Sequence, residues 1–210
     1  MKKAKPYFAL DLTKSNCLPK GWRSTIKNCV TDYGIDTLLT GTGSTSRERR
    51  PSKMRVRVAD GIAVRQHVSW LWELYNGPLL DFSAACFERP VYAANLLHST
   101  ININELSGKG AQYEWHVDSN PVTGLLFATD SKRGFGGSLV FRYPAGKRTI
   151  VRPRAGLFLC FDAREIEHRV SPLRRDGQRI SVPMNYYLSA ADQLRPADLD
   201  KQIYTAVTEE

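Results

Sequence analysis

The sequence predicts an α+β protein that is mainly β, with a jelly-roll core and an amino-terminal helical layer. Apolar residues recur at helical spacing in roughly the first half of the chain, and short apolar segments separated by Gly, Pro and Asp follow. The 210 residues, of which 42% are apolar and 24% charged, suit one domain with one sizeable core. We therefore expect a single domain over 1–210, with helical support and lid segments in 1–98, the jelly-roll core in 99–188 and a carboxy-terminal helix in 189–210.

The helical prediction depends on two segments. In GIAVRQHVSWLWELYNG, residues 61–77, apolar side chains repeat every three or four positions and Asn-Gly-Pro supplies a stop. A second helical segment is expected in DFSAACFERPVYAANLL, residues 81–97, interrupted at Pro90.

The strand prediction depends on eight short segments bounded by turn residues. Their number and regular spacing favour a sandwich or barrel, and we prefer a double-stranded β-helix, the jelly-roll or cupin-like arrangement. The predicted strands are STININEL (99–106), YEWHVD (113–118), VTGLLFAT (122–129), GSLVFRY (137–143), RTIVR (148–152), GLFLCF (156–161), HRVSPL (168–173) and RISVPMNYYL (179–188).

Composition narrows the class of protein further. No apolar run approaches the roughly 20 residues that a membrane-spanning helix needs, so we expect no membrane partner. The amino terminus MKKAKPYFALDL lacks the apolar region and cleavage site of a secretory signal, which predicts a cytoplasmic protein. The four cysteines form no CxxC pair and are expected to be buried free thiols.

The net charge of +9 leaves two interpretations of its densest segment, TSRERRPSKMRVR, residues 45–57. This segment follows GTGS, which favours a solvated loop or lid over a dedicated polyanion-binding patch, although both stay open. Glycine and charge predict lids at 41–53 and at 129–137.

A set of metal-ligand residues lies in the predicted strands. Because alternate side chains of a strand share a face, Glu114, His116 and Asp118 should point one way, and Tyr113 the other. His168 begins a strand segment 52 residues after His116. Two histidines and one carboxylate form a facial triad that leaves part of the coordination sphere of an iron ion open.

An arginine suited to a carboxylate ligand follows on the last strand. In RISVPMNYY, Arg179 and Ser181 fall on one strand face, which we expect to line the cavity. There a guanidinium fork and a hydroxyl can bind one carboxylate together.

These residues resemble the iron(II) and 2-oxoglutarate-dependent oxygenases over roughly Tyr113 to Leu188. YEWHVD looks like the family's Y-x-x-H-x-D, GGSLVF (136–141) like its glycine pair before a strand, and PRAGLFLCF (153–161) like its P-x-x-G strand. HRV looks like the segment with the second histidine, and RIS like the R-x-S signature. The five elements occur in the family's order.

The resemblance implies the cofactors and the roles of the site residues. His116, Asp118 and His168 would be the iron ligands and the catalytic centre, with O2 as co-substrate. Arg179 would hold the distal carboxylate of 2-oxoglutarate, with Ser181 as a second donor. The related halogenases have a small residue where this chain has Asp118, so the carboxylate predicts hydroxylation, with desaturation or ring formation as minor alternatives.

The predicted substrate is a small molecule, a free amino acid or a related metabolite, because the motif region is closest to small amino-acid hydroxylases. Three alternatives stay open: a protein hydroxylase of the prolyl type, a nucleic-acid dioxygenase, and a cupin-like binding protein without turnover. The nucleic-acid branch carries R-x-N-x-T-x-R where this chain reads RISVPMN, which argues against a nucleic-acid partner.

The sequence offers three candidate substrate-contacting residues. Glu114, on the predicted ligand face, could pair with a substrate amine, and Asn120 and Asn185 could supply orienting hydrogen bonds. His67 and His98 lie in the helical half without a carboxylate at ligand spacing and are interpreted as structural. The sequence does not indicate regiochemistry or oligomeric state.

Overall fold

The structure, a computed structural model, describes residues 6–40, 53–143 and 146–191. Within these ranges the chain forms twelve strands and five α-helices, numbered here in chain order. The strands are β1 (Phe8–Asp11), β2 (Ile35–Thr40), β3 (Lys53–Ala59), β4 (Tyr92–Ala93), β5 (Ile103–Ser107), β6 (Tyr113–His116), β7 (Val122–Phe127), β8 (Leu139–Arg142), β9 (Arg148–Val151), β10 (Leu157–Asp162), β11 (Glu167–Val170) and β12 (Gln178–Tyr187). The helices are α1 (Trp22–Tyr33), α2 (Gly61–His67), α3 (Ser69–Asn76), α4 (Pro78–Phe87) and α5 (Leu97–Thr100).

The strands form two antiparallel sheets. The large sheet has the order β1-β10-β7-β12-β5-β3-β2, with β4 also paired to β12, and the small sheet has the order β6-β11-β8-β9. Neighbours in each sheet are mostly distant in sequence, as in a jelly roll. The predicted mainly-β jelly-roll class is confirmed, and each of the eight predicted strand segments contains a strand, although residues 99–100 of the first belong to α5.

Side chains of the large sheet alternate between two apolar clusters. The residues on its outer face, such as Leu126, Phe158 and Val182, pack against the helices. Residues on its inner face, such as Leu125 and Phe127, pack with Phe141 of the small sheet. The predicted helical layer therefore covers one face of the large sheet, while the other face is covered by the small sheet.

The helical layer differs in detail from the prediction. The helix expected over 61–77 is two helices, because Val68 takes φ −137° and ψ 52° between α2 and α3. The second segment is helical only to Phe87; Glu88 ends α4 in the left-handed region at φ 51°, and β4 follows Pro90. α1 was not predicted.

The amino-terminal part also contributes three strands that the sequence prediction missed. β1 pairs with β10 at one edge of the large sheet, and the β2–β3 hairpin extends the other edge through β5. Residues 53–57 of the basic segment lie in β3, and the Arg57 guanidinium donates to the carbonyls of Val30 and Thr31 and pairs with Asp36. That cation thus has structural partners within the fold.

Several predictions concern residues 41–52 and 192–210, which lie outside the described residues; these are the first lid, the rest of the basic segment and most of the carboxy-terminal helix. All four cysteines lie in described ranges and are free thiols; Cys29 and Cys160 are buried as expected, whereas Cys17 and Cys86 are only half-buried. Among the described residues no helix has the length and apolar character to cross a bilayer.

Candidate metal centre

Three predicted ligands, two on the small sheet and one after β6, meet in space. The Nε2 atoms of His116 and His168 each lie 3.5 Å from Oδ1 of Asp118. One ligand atom from each residue falls within 4.8 Å of the others, so the group could hold a metal ion. Two imidazole nitrogens and one carboxylate oxygen are a donor set that suits non-heme iron(II).

The two histidines are opposite each other on neighbouring strands. His116 ends β6 and His168 lies in β11, and the two are register partners with ring centroids 4.3 Å apart. Each Nδ1 lies next to a backbone carbonyl two residues earlier, that of Glu114 at 2.6 Å and that of Ile166 at 3.0 Å. Because a carbonyl oxygen only accepts, both Nδ1 atoms donate, and each Nε2 faces the carboxylate.

The electrostatics of the three groups favour an ionised carboxylate. Burial alone would raise the pKa of Asp118, but the charge and hydrogen bond of His168 and the hydroxyl of Thr123 outweigh burial and lower that pKa to about 2. Burial, reinforced by His168, lowers the pKa of His116 to about 4. Burial would also lower the pKa of His168, yet the Asp118 carboxylate outweighs it and raises that pKa. At neutral pH Asp118 is therefore an anion beside a neutral His116.

Two hydrogen bonds to the large sheet, one to the residue after β10 and one from β7, hold Asp118. Its backbone N–H donates to the Ala163 carbonyl at 2.8 Å, and its Oδ2 accepts from the Thr123 hydroxyl at 2.6 Å. Asn120, for which a substrate contact stays a prediction, is 3% exposed and donates its amide to Thr123 and to the carbonyl of Val122. Both hydrogens of its amide are used inside the protein.

Arg179 occupies a buried position on the inner face of β12. Its Nε donates to the Gly137 carbonyl at 2.9 Å and its Nη1 to the Ser181 hydroxyl at 2.8 Å. The guanidinium carbon lies 5.5 Å from the centre of the Phe127 ring. Within the described ranges, the buried Nη2 has no hydrogen-bond partner. Burial lowers the pKa of Arg179 to about 10, so at neutral pH it is a buried cation with one donor still to be used.

The glycine pair before β8 allows the backbone to approach this arginine. Gly136 and Gly137 have φ of +88° and +67°, in the left-handed region. A Cβ on Gly136 would lie 2.0 Å from the Pro172 carbonyl oxygen, and one on Gly137 3.2 Å from Cδ of Arg179. A side chain at either position would push against the backbone or the arginine.

The loop at 129–137, predicted to be a lid, is tied to the fold in this structure. Ser131 donates its N–H to the Pro153 carbonyl, Asp130 accepts from the Ala155 N–H, and Arg174 donates to the Phe135 carbonyl. The loop ends at the carbonyl that holds Arg179. Its contacts therefore favour a role as support for the arginine.

Tyr113 is a site residue that strand alternation assigned to the wrong face. The register between β6 and β11 shifts by one residue, a β-bulge that turns Tyr113 inward together with His116. The Tyr113 hydroxyl accepts from Asn104 at 3.2 Å, its ring packs in the cluster between the sheets, and it influences the pKa of Arg179. Its place at the head of Y-x-x-H-x-D was the sequence signal that could have identified it.

The other predicted substrate residues have contacts inside the protein. Glu114 lies in the bulge of β6, where its carboxylate accepts from Gln112 at 2.7 Å. Asn185 is the register partner of Thr123 on the inner face of the large sheet, and its amide donates to the Ser99 carbonyl at 2.5 Å. A substrate contact from Glu114 or Asn185 stays a prediction.

The remaining histidines lie away from the three ligands. His67 stacks on Tyr33 with ring centroids 3.6 Å apart. His98 does have a carboxylate partner, because Asp60 lies 2.6 Å from its Nδ1 while also capping α2 through Ala63. Both arrangements fit the structural interpretation.

Comparison with protein families gives one match, the 2OG-Fe(II) oxygenase superfamily, over residues 101–187. No curated protein sequence matches the chain. The matched segment begins before β5 and ends with β12, so it contains the triad and Arg179.

Solved structures share the fold at low sequence identity. An oxidoreductase of the 2OG-Fe(II) oxygenase family from Burkholderia pseudomallei is 12% identical with a TM-score of 0.63, covering 88% of this chain and 86% of that one. The epimerase SnoN of nogalamycin biosynthesis is 13% identical with a TM-score of 0.62, covering 97% and 85%. A prolyl-4-hydroxylase from Pseudomonas putida is 15% identical with a TM-score of 0.55, covering 88% and 93%.

Proposed function

We propose, from the match of residues 101–187 to the 2OG-Fe(II) oxygenase superfamily and from the geometry of the three ligands, that the protein hydroxylates an unactivated C–H bond of a small molecule. The substrate class is a free amino acid or a related metabolite. The observation that carries the proposal is the carboxylate oxygen of Asp118, 3.5 Å from the Nε2 atoms of both His116 and His168. Fe(II) and 2-oxoglutarate are the cofactors, and O2 is the co-substrate.

His116, Asp118 and His168 would hold the iron. The donor set fits, since both imidazoles present Nε2 and the carboxylate is ionised at neutral pH. When bound, iron and 2-oxoglutarate use O2 to replace a C–H hydrogen of the substrate by hydroxyl, and 2-oxoglutarate leaves as succinate and carbon dioxide.

Arg179 and Ser181 would hold the distal carboxylate of 2-oxoglutarate. The buried Nη2 has a hydrogen to donate, which fits an anionic acceptor, and the contact with Ser181 fixes the plane of the guanidinium. Because Arg179 is 3% exposed, little water competes for its guanidinium. In this proposal the Arg179 cation would bind the distal carboxylate of 2-oxoglutarate, and the three ligands would bind the iron ion.

Hydroxylation is preferred to halogenation because of Asp118. Its carboxylate faces both histidines and is anchored through Oδ2, so the chain supplies three protein ligands. A halide would need the position that this carboxylate takes.

The inner face of the large sheet supports a small polar substrate. Asn104 is the register partner of Ser181, and Asn185 is the register partner of Thr123. The backbone N–H of Asn102 donates to the Pro183 carbonyl of β12. Oδ1 of Asn104 is buried and accepts no hydrogen bond within the described part of the chain. Neutral amides donate and accept hydrogen bonds, as the polar groups of an amino acid require.

The free thiols are consistent with a cytoplasmic setting, which we propose as the location of the protein.

The first test addresses catalysis against simple binding. Anaerobic addition of Fe(II) and then 2-oxoglutarate to wild type should give a visible metal-to-ligand charge-transfer band, and His168→Ala should abolish it. No band in wild type, or an equal band in the variant, would favour a cupin-like binding protein.

The second test identifies the substrate class. Succinate formation is measured over free amino acids, prolyl peptides and methylated oligonucleotides, with Arg179→Met as the inactive control. Turnover with amino acids supports the proposal. Turnover only with peptides would make the protein a prolyl-type hydroxylase, and turnover only with oligonucleotides a nucleic-acid dioxygenase.

A further inference from the structure

We propose that Thr123 and Asn120 are positioning residues that reserve one carboxylate oxygen of Asp118 for the metal and withhold the other. This inference rests on the proposed function, in which Asp118 is an iron ligand. It assigns Asn120 and Thr123 a task that the sequence did not suggest.

The two oxygens of Asp118 have different surroundings. Oδ1 lies 3.5 Å from Nε2 of each histidine. Oδ2 instead accepts the Thr123 hydroxyl at 2.6 Å, a short distance typical of a charge-assisted hydrogen bond. Only Oδ1 is directed at the point where the imidazoles converge.

The direction of the Thr123 proton follows from Asn120. One terminal atom of the Asn120 amide lies 2.7 Å from the Val122 carbonyl oxygen. Because a carbonyl oxygen only accepts hydrogen bonds, that terminal atom is the amide nitrogen and not the amide oxygen. The same nitrogen donates to the Thr123 oxygen at 2.9 Å. With its oxygen accepting from Asn120, the Thr123 hydroxyl directs its single proton to Asp118.

The pair is buried, and the hydrogen bond from Thr123 to Asp118 connects the two sheets. Asn120 is 3% exposed and Thr123 4%. Thr123 lies in β7 of the large sheet, whereas Asp118 follows β6 of the small one, and its backbone N–H is fixed separately by Ala163. A carboxylate held at its backbone and at Oδ2 cannot rotate to offer both oxygens without breaking the Thr123 contact.

The consequence concerns coordination number. A carboxylate that binds through both oxygens would make the protein a four-atom donor and would occupy a position needed for cofactor or co-substrate. With Oδ2 withheld, the protein supplies three donor atoms, and the remaining positions stay open.

Co(II) binding to the purified apoprotein tests the proposal without turnover, through the titrated affinity and the d–d absorption bands. Thr123→Val keeps the shape of the side chain but removes the hydroxyl, and should weaken Co(II) binding by roughly 10- to 100-fold and alter the bands, as loss of a partner to a metal ligand does. Thr123→Ser restores the hydroxyl and should recover both properties. Asn120→Ala leaves the hydroxyl but not its orientation, and should give an intermediate affinity.

The outcomes separate this proposal from the proposed function. If wild type binds Co(II) and both Thr123→Val and Asn120→Ala keep its affinity and spectrum, the positioning role is overturned while the metal site stands. If wild type binds no Co(II), both are overturned. Should Thr123→Val fail to fold by circular dichroism, wild-type affinity and spectrum in Asn120→Ala would alone overturn the positioning role.

Discussion

Replacing Gly137 by alanine should weaken 2-oxoglutarate binding through the arginine behind it. Gly137 has φ +67°, and its carbonyl accepts from Nε of Arg179. An added Cβ would lie 2.9 Å from Cδ2 of Leu173 and 3.2 Å from Cδ of Arg179. Both neighbours are side chains, so they can move, and the arginine moves away from the position that its three contacts define.

The expected magnitudes follow from these contacts. A non-glycine residue in the left-handed region costs about 1–2 kcal/mol of folding free energy. Loss of one well-aligned hydrogen bond from a charged donor costs about 1.5–3 kcal/mol. At about 1.4 kcal/mol per factor of ten, misalignment of Nη2 should raise the half-saturating 2-oxoglutarate concentration by roughly 10- to 150-fold.

The matched control is Gly134→Ala in the same loop. Gly134 has φ +81°, but a Cβ there meets no atom within 4 Å. It should therefore lower the free energy of unfolding, measured with urea, and leave 2-oxoglutarate titration by the charge-transfer band unchanged. Equal 2-oxoglutarate affinities in the two variants would refute the idea that Gly137 supports Arg179.

Three further changes test neighbouring parts of the fold. Ser181→Ala leaves Nη1 of Arg179 buried without its acceptor and should lower the free energy of unfolding by about 1–3 kcal/mol; a urea midpoint equal to that of wild type would contradict this. Asp118→Gly removes the anionic ligand and should abolish substrate-dependent succinate formation, whereas an unchanged rate would remove Asp118 from the metal. Leu126→Ala, fully buried on the outer face of the large sheet, should cost about 2–5 kcal/mol and leave 2-oxoglutarate half-saturation unaltered in folded protein; a shift in half-saturation would mean that the helical layer and the site are coupled.

The strands that carry the site were predictable because their side-chain patterns are local. The outer residues of β12, Ile180 and Val182, alternate with Arg179 and Ser181, so one correct face assignment places both polar side chains inside. Turn residues marked the ends of most strands. Periodicity does not indicate which distant residues come together, and the order of the motif elements supplied that information for the site.

The missed features depend on contacts that a local pattern does not contain. The register shift between β6 and β11 turns Tyr113 inward. The alternation within YEWHVD does not predict this bulge, although the motif position of Tyr113 indicated a site role. In β3, the apolar Val56 and Val58 alternate with arginines, and the density of charge around them favoured a loop. Asn120 was predicted to orient a substrate, and its contacts with Thr123 and the Val122 carbonyl are made by neighbours whose positions depend on the fold of the loop and β7.

The two histidine rings are each oriented by a carbonyl of their own strand, whereas their mutual distance depends on the pairing of β6 with β11. Among the strands that the structure describes, β6 lies at the edge of the small sheet and pairs with β11 alone. A ligand that binds only the paired state stabilises it by mass action. Metal loading should therefore slow amide hydrogen exchange in β6 more than in the central strands of the large sheet. A bound metal ion would then stabilise the pairing of β6 with β11 in addition to its role at the site.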